Sequence, residues 1–214
     1  MSGQKILPLF YHARQQVCSG VLQALYDAGI RMVEFTNRGP AALERFTEMV
    51  QQRNRYMPDL LLAVGTIRTE ADVNNYRAAG ADVLISPFWD DAVAAAAKEL
   101  ETPWIPGCMT PSEINRAAVA GIRLVKLFPG NVLGTGFVEA IRPLFPEMQY
   151  VVTGGVDATA ESIGQWLQAG VLAAGLGSKL ITAAVLEQQQ FPALQNRVAT
   201  LLTQVTHTGT APKN

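Results

Sequence analysis

Residues 120–130 read Ala120-Gly121-Ile122-Arg123-Leu124-Val125-Lys126-Leu127-Phe128-Pro129-Gly130. Ala-Gly marks the end of a helix, because glycine takes the left-handed conformation that closes a helix C-terminus without steric cost. An apolar run of strand length follows, and Pro-Gly stops it. The same Ala-Gly punctuation recurs at Ala28-Gly29, Ala79-Gly80 and Ala169-Gly170, each time ahead of an apolar run. A helix that ends in glycine and passes at once into a strand is the joint of a βα repeat with short connections.

The pattern extends from this joint to both ends. Apolar runs predict strands at residues 5–11, 31–36, 60–65, 82–86, 104–105, 123–128, 149–153 and 171–175. Spacing and capping signals predict helices over 14–28, 40–55, 69–79, 90–100, 110–120, 136–144 and 159–169, with 178–186 and 192–205 closing the chain. Pro40 opens one of these helices, and Thr69 and Thr110 are placed to cap two others. Eight alternations of strand and helix in 214 residues predict an α/β fold, a (β/α)8 TIM barrel forming one domain over residues 1–214. An open doubly wound sheet is the structural rival. The tail from about residue 207 is expected to fray.

Seventeen basic residues against eighteen acidic ones leave a formal net charge of −1, which implies neither a nucleic-acid nor an anionic-membrane partner. No apolar run reaches membrane-spanning length, and residues 1–5 show no signal-peptide pattern. Cys18 and Cys108 have no disulfide or metal spacing, so both are expected to be packing residues in a reduced, cytoplasmic setting. His12 and His207 pair with no acidic cluster, and neither a metal nor a cofactor is expected.

In a (β/α)8 barrel the chemistry collects at the C-terminal ends of the strands. Lys126 stands inside an apolar strand. Burial disfavours an ammonium group, and the neutral amine that burial favours attacks carbonyls to form Schiff bases. The alternative is a strand-end lysine whose amine reaches solvent. Strands two and six face each other across an eight-stranded barrel, so an inward Glu34 would approach an inward Lys126 and add a proton carrier to a nucleophile. Arg38 could clamp a carboxylate, and Thr66 follows the third strand. Thr153-Gly154-Gly155 and Gly175-Leu176-Gly177-Ser178 follow the last two strands, where such barrels bind phosphate on backbone N–H groups. Ser178 could equally cap a helix. His12, at the end of the first strand, is a weaker substrate-contact candidate.

Several segments, taken in order, resemble the bacterial 2-keto-3-deoxy-6-phosphogluconate (KDPG) and 4-hydroxy-2-oxoglutarate (KHG) aldolases. They are Val33-Glu34-Phe35-Thr36-Asn37-Arg38, Val64-Gly65-Thr66, Ile85-Ser86-Pro87, Ile105-Pro106-Gly107, Val125-Lys126-Leu127-Phe128-Pro129, Thr153-Gly154-Gly155 and Gly177-Ser178. The resemblance implies a class I aldolase, a lyase working through a Schiff base, usually as a homotrimer, on a small-molecule 2-keto acid or sugar-acid phosphate. It implies Lys126 as the Schiff-base lysine and Glu34 as the general acid/base. Arg38, Thr66 and Pro87 would hold the pyruvate end, Phe128 would pack beside the imine, and Thr153 would meet the substrate hydroxyls. Gly154, Gly155, Gly177 and Ser178 would cradle phosphate. Separately from the resemblance, Lys179 is a candidate for an extra phosphate contact because it stands beside Ser178. Cleavage of KDPG gives pyruvate and glyceraldehyde 3-phosphate, and of 4-hydroxy-2-oxoglutarate gives pyruvate and glyoxylate. The competing expectations are an aldolase for the galactonate epimer or another 2-keto-3-deoxy sugar acid, a phosphate-binding epimerase or synthase, and a non-catalytic sugar-phosphate-binding barrel. Tyr11-His12 stands where several relatives place an arginine, and no counterpart of their extra N-terminal helix is seen.

Overall fold

The computed structural model describes residues 3–208, with side chains described through residue 206. Nine strands, all paired in parallel, make one sheet curled into a nearly closed barrel: β1 (Ile6–Phe10), β2 (Met32–Thr36), β3 (Leu61–Gly65), β4 (Val83–Ile85), β5 (Trp104–Ile105), β6 (Gly107–Cys108), β7 (Leu124–Leu127), β8 (Gln149–Thr153) and β9 (Ala173–Leu176). The helices are α1 (Gln15–Asp27), α2 (Ala42–Tyr56), α3 (Glu70–Ala78), α4 (Asp91–Glu99), α5 (Pro111–Val119), α6 (Gly130–Ile141), α7 (Ala160–Ala169), α8 (Ala183–Glu187) and α9 (Phe191–Thr208).

The nine strands are eight barrel staves, one of them broken. The fifth predicted strand continues through residue 108 but is interrupted at Pro106, which has no N–H to give a ladder. Trp104 and Ile105 pair with Leu84 and Ile85, whereas Gly107 and Cys108 pair with Lys126 and Leu127. The carbonyl of Pro106 still accepts from the amide of Lys126 at 2.9 Å, so β7 is fastened at the break.

Register sorts the strand residues into two cores. Leu7, Met32, Ala63, Ile85, Ile105, Val151 and Ala173 fill the barrel interior. Residues of the opposite parity, among them Val33, Phe35, Val64, Val125, Leu127 and Val152, pack outward against the helices. Strand alternation then points Glu34, Lys126 and Thr153 into the interior, one layer above Met32, Leu124 and Val151.

Several predicted boundaries are corrected. The helix expected at 136–144 begins at Gly130, breaks at Gly134 (φ 70°, ψ 167°) and ends in a 3₁₀ turn at Arg142–Leu144. Three glycines in this segment hide the helix from propensity, and its first turn is held instead by Asn131, whose amide donates to Gly154 O at 2.9 Å. The strand expected at 171–175 is Ala173–Leu176, so Gly175 lies inside the strand. The helix expected at 178–186 is a turn closed on Gly177 O, followed by α8 with Thr182 as its cap. Leu180 and Ile181 are drawn into the core there, which no helical stripe would place side by side, and Ser178 caps no helix. The backbone at residues 207 and 208 is helical, while the rest of the expected fraying tail lies outside the described residues.

Candidate active site

Glu34 is 1% exposed and Lys126 is 6% exposed, so both side chains lie inside the barrel mouth. Nζ of Lys126 stands 3.5 Å from Oε1 of Glu34. That separation exceeds a direct charge-assisted bond of about 2.8 Å, so the amine is paired without being clamped. Oε2 of Glu34 is buried and has no partner among the described residues, which leaves an acceptor facing whatever enters. Space for this carboxylate comes from Gly65 on the neighbouring strand, where a side chain would overlap Oε1. The ring of Phe128 covers the amine from above, with its centroid 5.4 Å from Nζ.

On the strand beside Lys126, Thr153 is 7% exposed and its Oγ1 is buried with no partner among the described residues. Gly175 lies beside it in the register, and a β-carbon there would approach Oγ1 to 2.5 Å. Two glycines, Gly65 and Gly175, therefore hollow the interior around the two unpaired polar groups. A buried polar group without a partner destabilises the fold, and it gains its bond only when a ligand supplies one.

A cavity of about 360 Å³ opens at the C-terminal strand ends and is lined by Tyr11, Arg38, Phe128, Thr153, Gly154, Gly155, Gly177, Ser178 and Lys179, among others. Phe128 joins this cavity to the Lys126–Glu34 pair beneath it. Gly154 and Gly155 hold φ of 96° and 76°, so their backbone bends in a way that admits no ordinary side chain, and bare amides border the cavity. Arg38 is exposed and makes no hydrogen bond or ion pair among the described residues.

Thr66 and Pro87 stand at the ends of β3 and β4, outside this lining. Thr66 adopts φ +66°, a left-handed backbone that costs a β-branched residue about 1–3 kcal/mol. A hydrogen-bond network holds this side of the mouth. The Asn37 amide donates to Gly65 O at 2.8 Å, and its side chain donates to Asp72 at 3.0 Å and accepts from the Tyr76 hydroxyl at 2.9 Å. Asp72 in turn caps α3 and accepts from the Arg68 and Thr69 amides. The loops carrying Arg38 and Thr66 are thus tied together. The sequence reading missed Asn37, Tyr76 and the space-making role of Gly175, because these links appear only when distant segments meet.

His12 does not line the cavity, and its Nδ1 accepts from the Arg14 amide at 3.1 Å. Burial pushes the Cys18 thiol up to about 11 and the Cys108 thiol up to about 12, so neither is a nucleophile at neutral pH. A larger cavity, about 590 Å³, lies at the opposite end of the barrel among Lys5, Arg142 and Tyr150, and neither Lys126 nor Glu34 lines it. Among the described residues no helix is long and apolar enough to cross a membrane.

The family model for KDPG and KHG aldolase matches residues 1–197. A 2-dehydro-3-deoxy-phosphogluconate aldolase from Treponema pallidum is 32% identical over 153 residues, which is 71% of each chain. A 2-dehydro-3-deoxy-6-phosphogalactonate aldolase from Escherichia coli is 29% identical over 75% of this chain and 76% of its own. The solved KDPG aldolase of Legionella pneumophila, with pyruvate captured as a covalent carbinolamine, superposes with a TM-score of 0.86 over 94% of this chain and 95% of its own, at 24% identity.

Proposed function

The chain belongs to the KDPG and KHG aldolase family and is a carbon–carbon lyase, and on that premise we propose that it cleaves 2-keto-3-deoxy-6-phosphogluconate to pyruvate and glyceraldehyde 3-phosphate through a Schiff base on Lys126. The observation that carries this reading is the buried Lys126–Glu34 pair, 3.5 Å apart beneath the cavity at the strand ends.

In this reading the amine of Lys126 attacks the C2 carbonyl, and Glu34 supplies the proton with which the carbinolamine oxygen leaves as water. The iminium that results draws electrons from C3. As C3–C4 breaks, the C4 hydroxyl gives its proton to Glu34, directly or through one water, and the electron pair moves into an enamine. Protonation of C3 and attack of water on the imine then release pyruvate and free the lysine. Arg38, Thr66 and Pro87 hold the pyruvate end, Phe128 shields the imine, and Thr153 binds a substrate hydroxyl. Gly154, Gly155, Gly177 and Ser178 receive the phosphate. The shorter 4-hydroxy-2-oxoglutarate carries the same reacting atoms and gives pyruvate and glyoxylate.

Borohydride reduction in the presence of pyruvate, followed by peptide mapping, tests the chemistry. The expected product is a reduced pyruvyl adduct on Lys126 that is absent from Lys126→Ala. An untrapped parent protein that still cleaves the substrate would remove the imine from the mechanism. The second reading, the galactonate epimer, is favoured by the 29% relative named for it, and the ratio of kcat/KM on the two C4 epimers decides between them. A homotrimer also belongs to the proposal. Phe88 and Met109, on the loops after β4 and β6, and Val132, in the first turn of α6, are 45%, 41% and 60% exposed, apolar surface suited to a partner copy. Light scattering at the mass of three chains is the expected result, and the mass of one chain would remove it. The two free, buried thiols suit a cytoplasmic setting. Microscopy of a tagged chain should then show it in the cytoplasm, and an extracellular location would remove this assignment.

A further inference from the structure

Sixteen residues line the cavity at the strand ends, and the charged ones among them are Arg38 and Lys179. Both are cations, and no carboxylate lines the space. Arg38 stands on the β2 side, while Lys179 follows Gly177 and Ser178 on the β9 side. A substrate with an anion at each end matches that layout.

Lys179 is not a free cation, however. Its Nζ lies 3.2 Å from Oδ1 of Asp157, which follows Gly154 and Gly155 on the loop after β8. The ion pair bridges the two glycine loops across the rim of the cavity. Its partners are 65% and 59% exposed, so water screens the attraction and the pair holds weakly. The backbone is held more firmly, because Arg197 on α9 donates to Lys179 O at 3.0 Å and to Leu180 O at 3.4 Å. What can exchange is therefore the ammonium group, and a phosphate carries more negative charge and more acceptor oxygens than a carboxylate.

We infer that Lys179 is the residue that sets the preference for a phosphorylated substrate, exchanging the carboxylate of Asp157 for the phosphate when the substrate binds. This rests on the loops after β8 and β9 forming the phosphate end of the site, as proposed above. Amides of the glycine loops offer partial charges to any oxygen, so they separate a phosphate from a hydroxyl less sharply than a full positive charge does. Asp157 works against the phosphate twice, by occupying the ammonium group and by repelling the dianion.

Steady-state kinetics on 2-keto-3-deoxy-6-phosphogluconate and on its unphosphorylated counterpart, with the parent, Lys179→Met and Asp157→Asn, tests the assignment. Lys179→Met should raise KM for the phosphorylated acid about ten-fold, leave kcat within about two-fold, and leave the unphosphorylated acid unchanged. Asp157→Asn should lower the first KM by roughly two- to three-fold. An unchanged ratio between the two acids in Lys179→Met, or an equal loss on both, overturns the inference. Titration with inorganic phosphate reads the same contact without turnover. About ten-fold weaker binding by Lys179→Met supports the assignment, and equal affinity overturns it. If the parent turns over neither acid while the phosphate titration still separates the variants, the aldolase reading falls and the assignment of Lys179 stands.

Discussion

Gly65 leaves the space that the carboxylate of Glu34 fills: a β-carbon on Gly65 would overlap Oε1 of Glu34. The acid/base candidate and the neighbouring strand are therefore one fitted unit, and the residue that touches no substrate fixes where the proton carrier stands. Gly65→Ala should push Glu34 away from Lys126 and reduce kcat/KM by about 100-fold, the scale of a 1 Å misplacement. Overpacking should also lower stability by about 1–3 kcal/mol. Kinetics together with urea unfolding check this, and a folded variant with parental kcat/KM would sink it.

Thr153 gives the opposite balance. Its Oγ1 is buried and unpaired, so valine removes an unsatisfied group while keeping the shape. Thr153→Val should fold as stably as the parent or better by about 1 kcal/mol, yet lose about 10- to 100-fold in kcat/KM. A loss of stability without a loss of activity would assign Thr153 to the scaffold.

The Tyr76 hydroxyl, 2.9 Å from Asn37 Oδ1, supports from a distance the side of the mouth that carries Arg38 and Thr66. Tyr76→Phe keeps the ring against Phe46 and removes one bond. We expect about 1 kcal/mol lower stability and a several-fold higher KM with little change in kcat. An unchanged KM would confine the network to a structural task.

Stability should fall at alkaline pH. The thiols of Cys18 and Cys108 are raised in the folded protein from 9.0 to about 11 and about 12, chiefly by burial. The folded state holds these protons more tightly, so their contribution is complete below pH 9 and fades as pH rises from there to about 12. Tyr76 and Tyr150, raised mainly by burial, add a loss of the same sign above pH 10. Unfolding free energies from urea titrations between pH 8 and 11 should decline by a few kcal/mol, and less steeply in a Cys18→Ala, Cys108→Ala double variant. Equal slopes would show that the thiols are not the cause.

The barrel was legible because its joints are local. Ala28-Gly29, Ala79-Gly80, Ala120-Gly121 and Ala169-Gly170 each stand between a helix and a strand, as their chemistry requires. The approach of Glu34 to Lys126 was legible from strand order alone, since opposite staves face each other. Tertiary contacts decided what the sequence left open. Gly130 starts a helix because the loop at Gly154 receives it, and residues 178–182 are pulled out of a helix by the burial of Leu180 and Ile181. Pro106 was visible, but the two short strands on either side of it follow from their different partners.

The break at Pro106 bears on how this wall deforms. The sheet is a band whose two ends, β5 and β6, meet at that proline, with β1 midway along it. Glu34 rides on one arm of the band, and Lys126 and Thr153 ride on the other. The ladder closes at that proline through one peptide, because Ser86 donates to Ile105 O at 3.0 Å and Lys126 donates to the adjacent Pro106 O at 2.9 Å. We expect the wall to yield first at this thinly bonded joint, which would change the distance between Glu34 and Lys126. Amide exchange should register it: the Lys126 and Phe128 amides, bonded to Pro106 O and Cys108 O beside the joint, should exchange before those of the β1–β2 spine, and the reverse order would show the joint to be as firm as the rest of the wall.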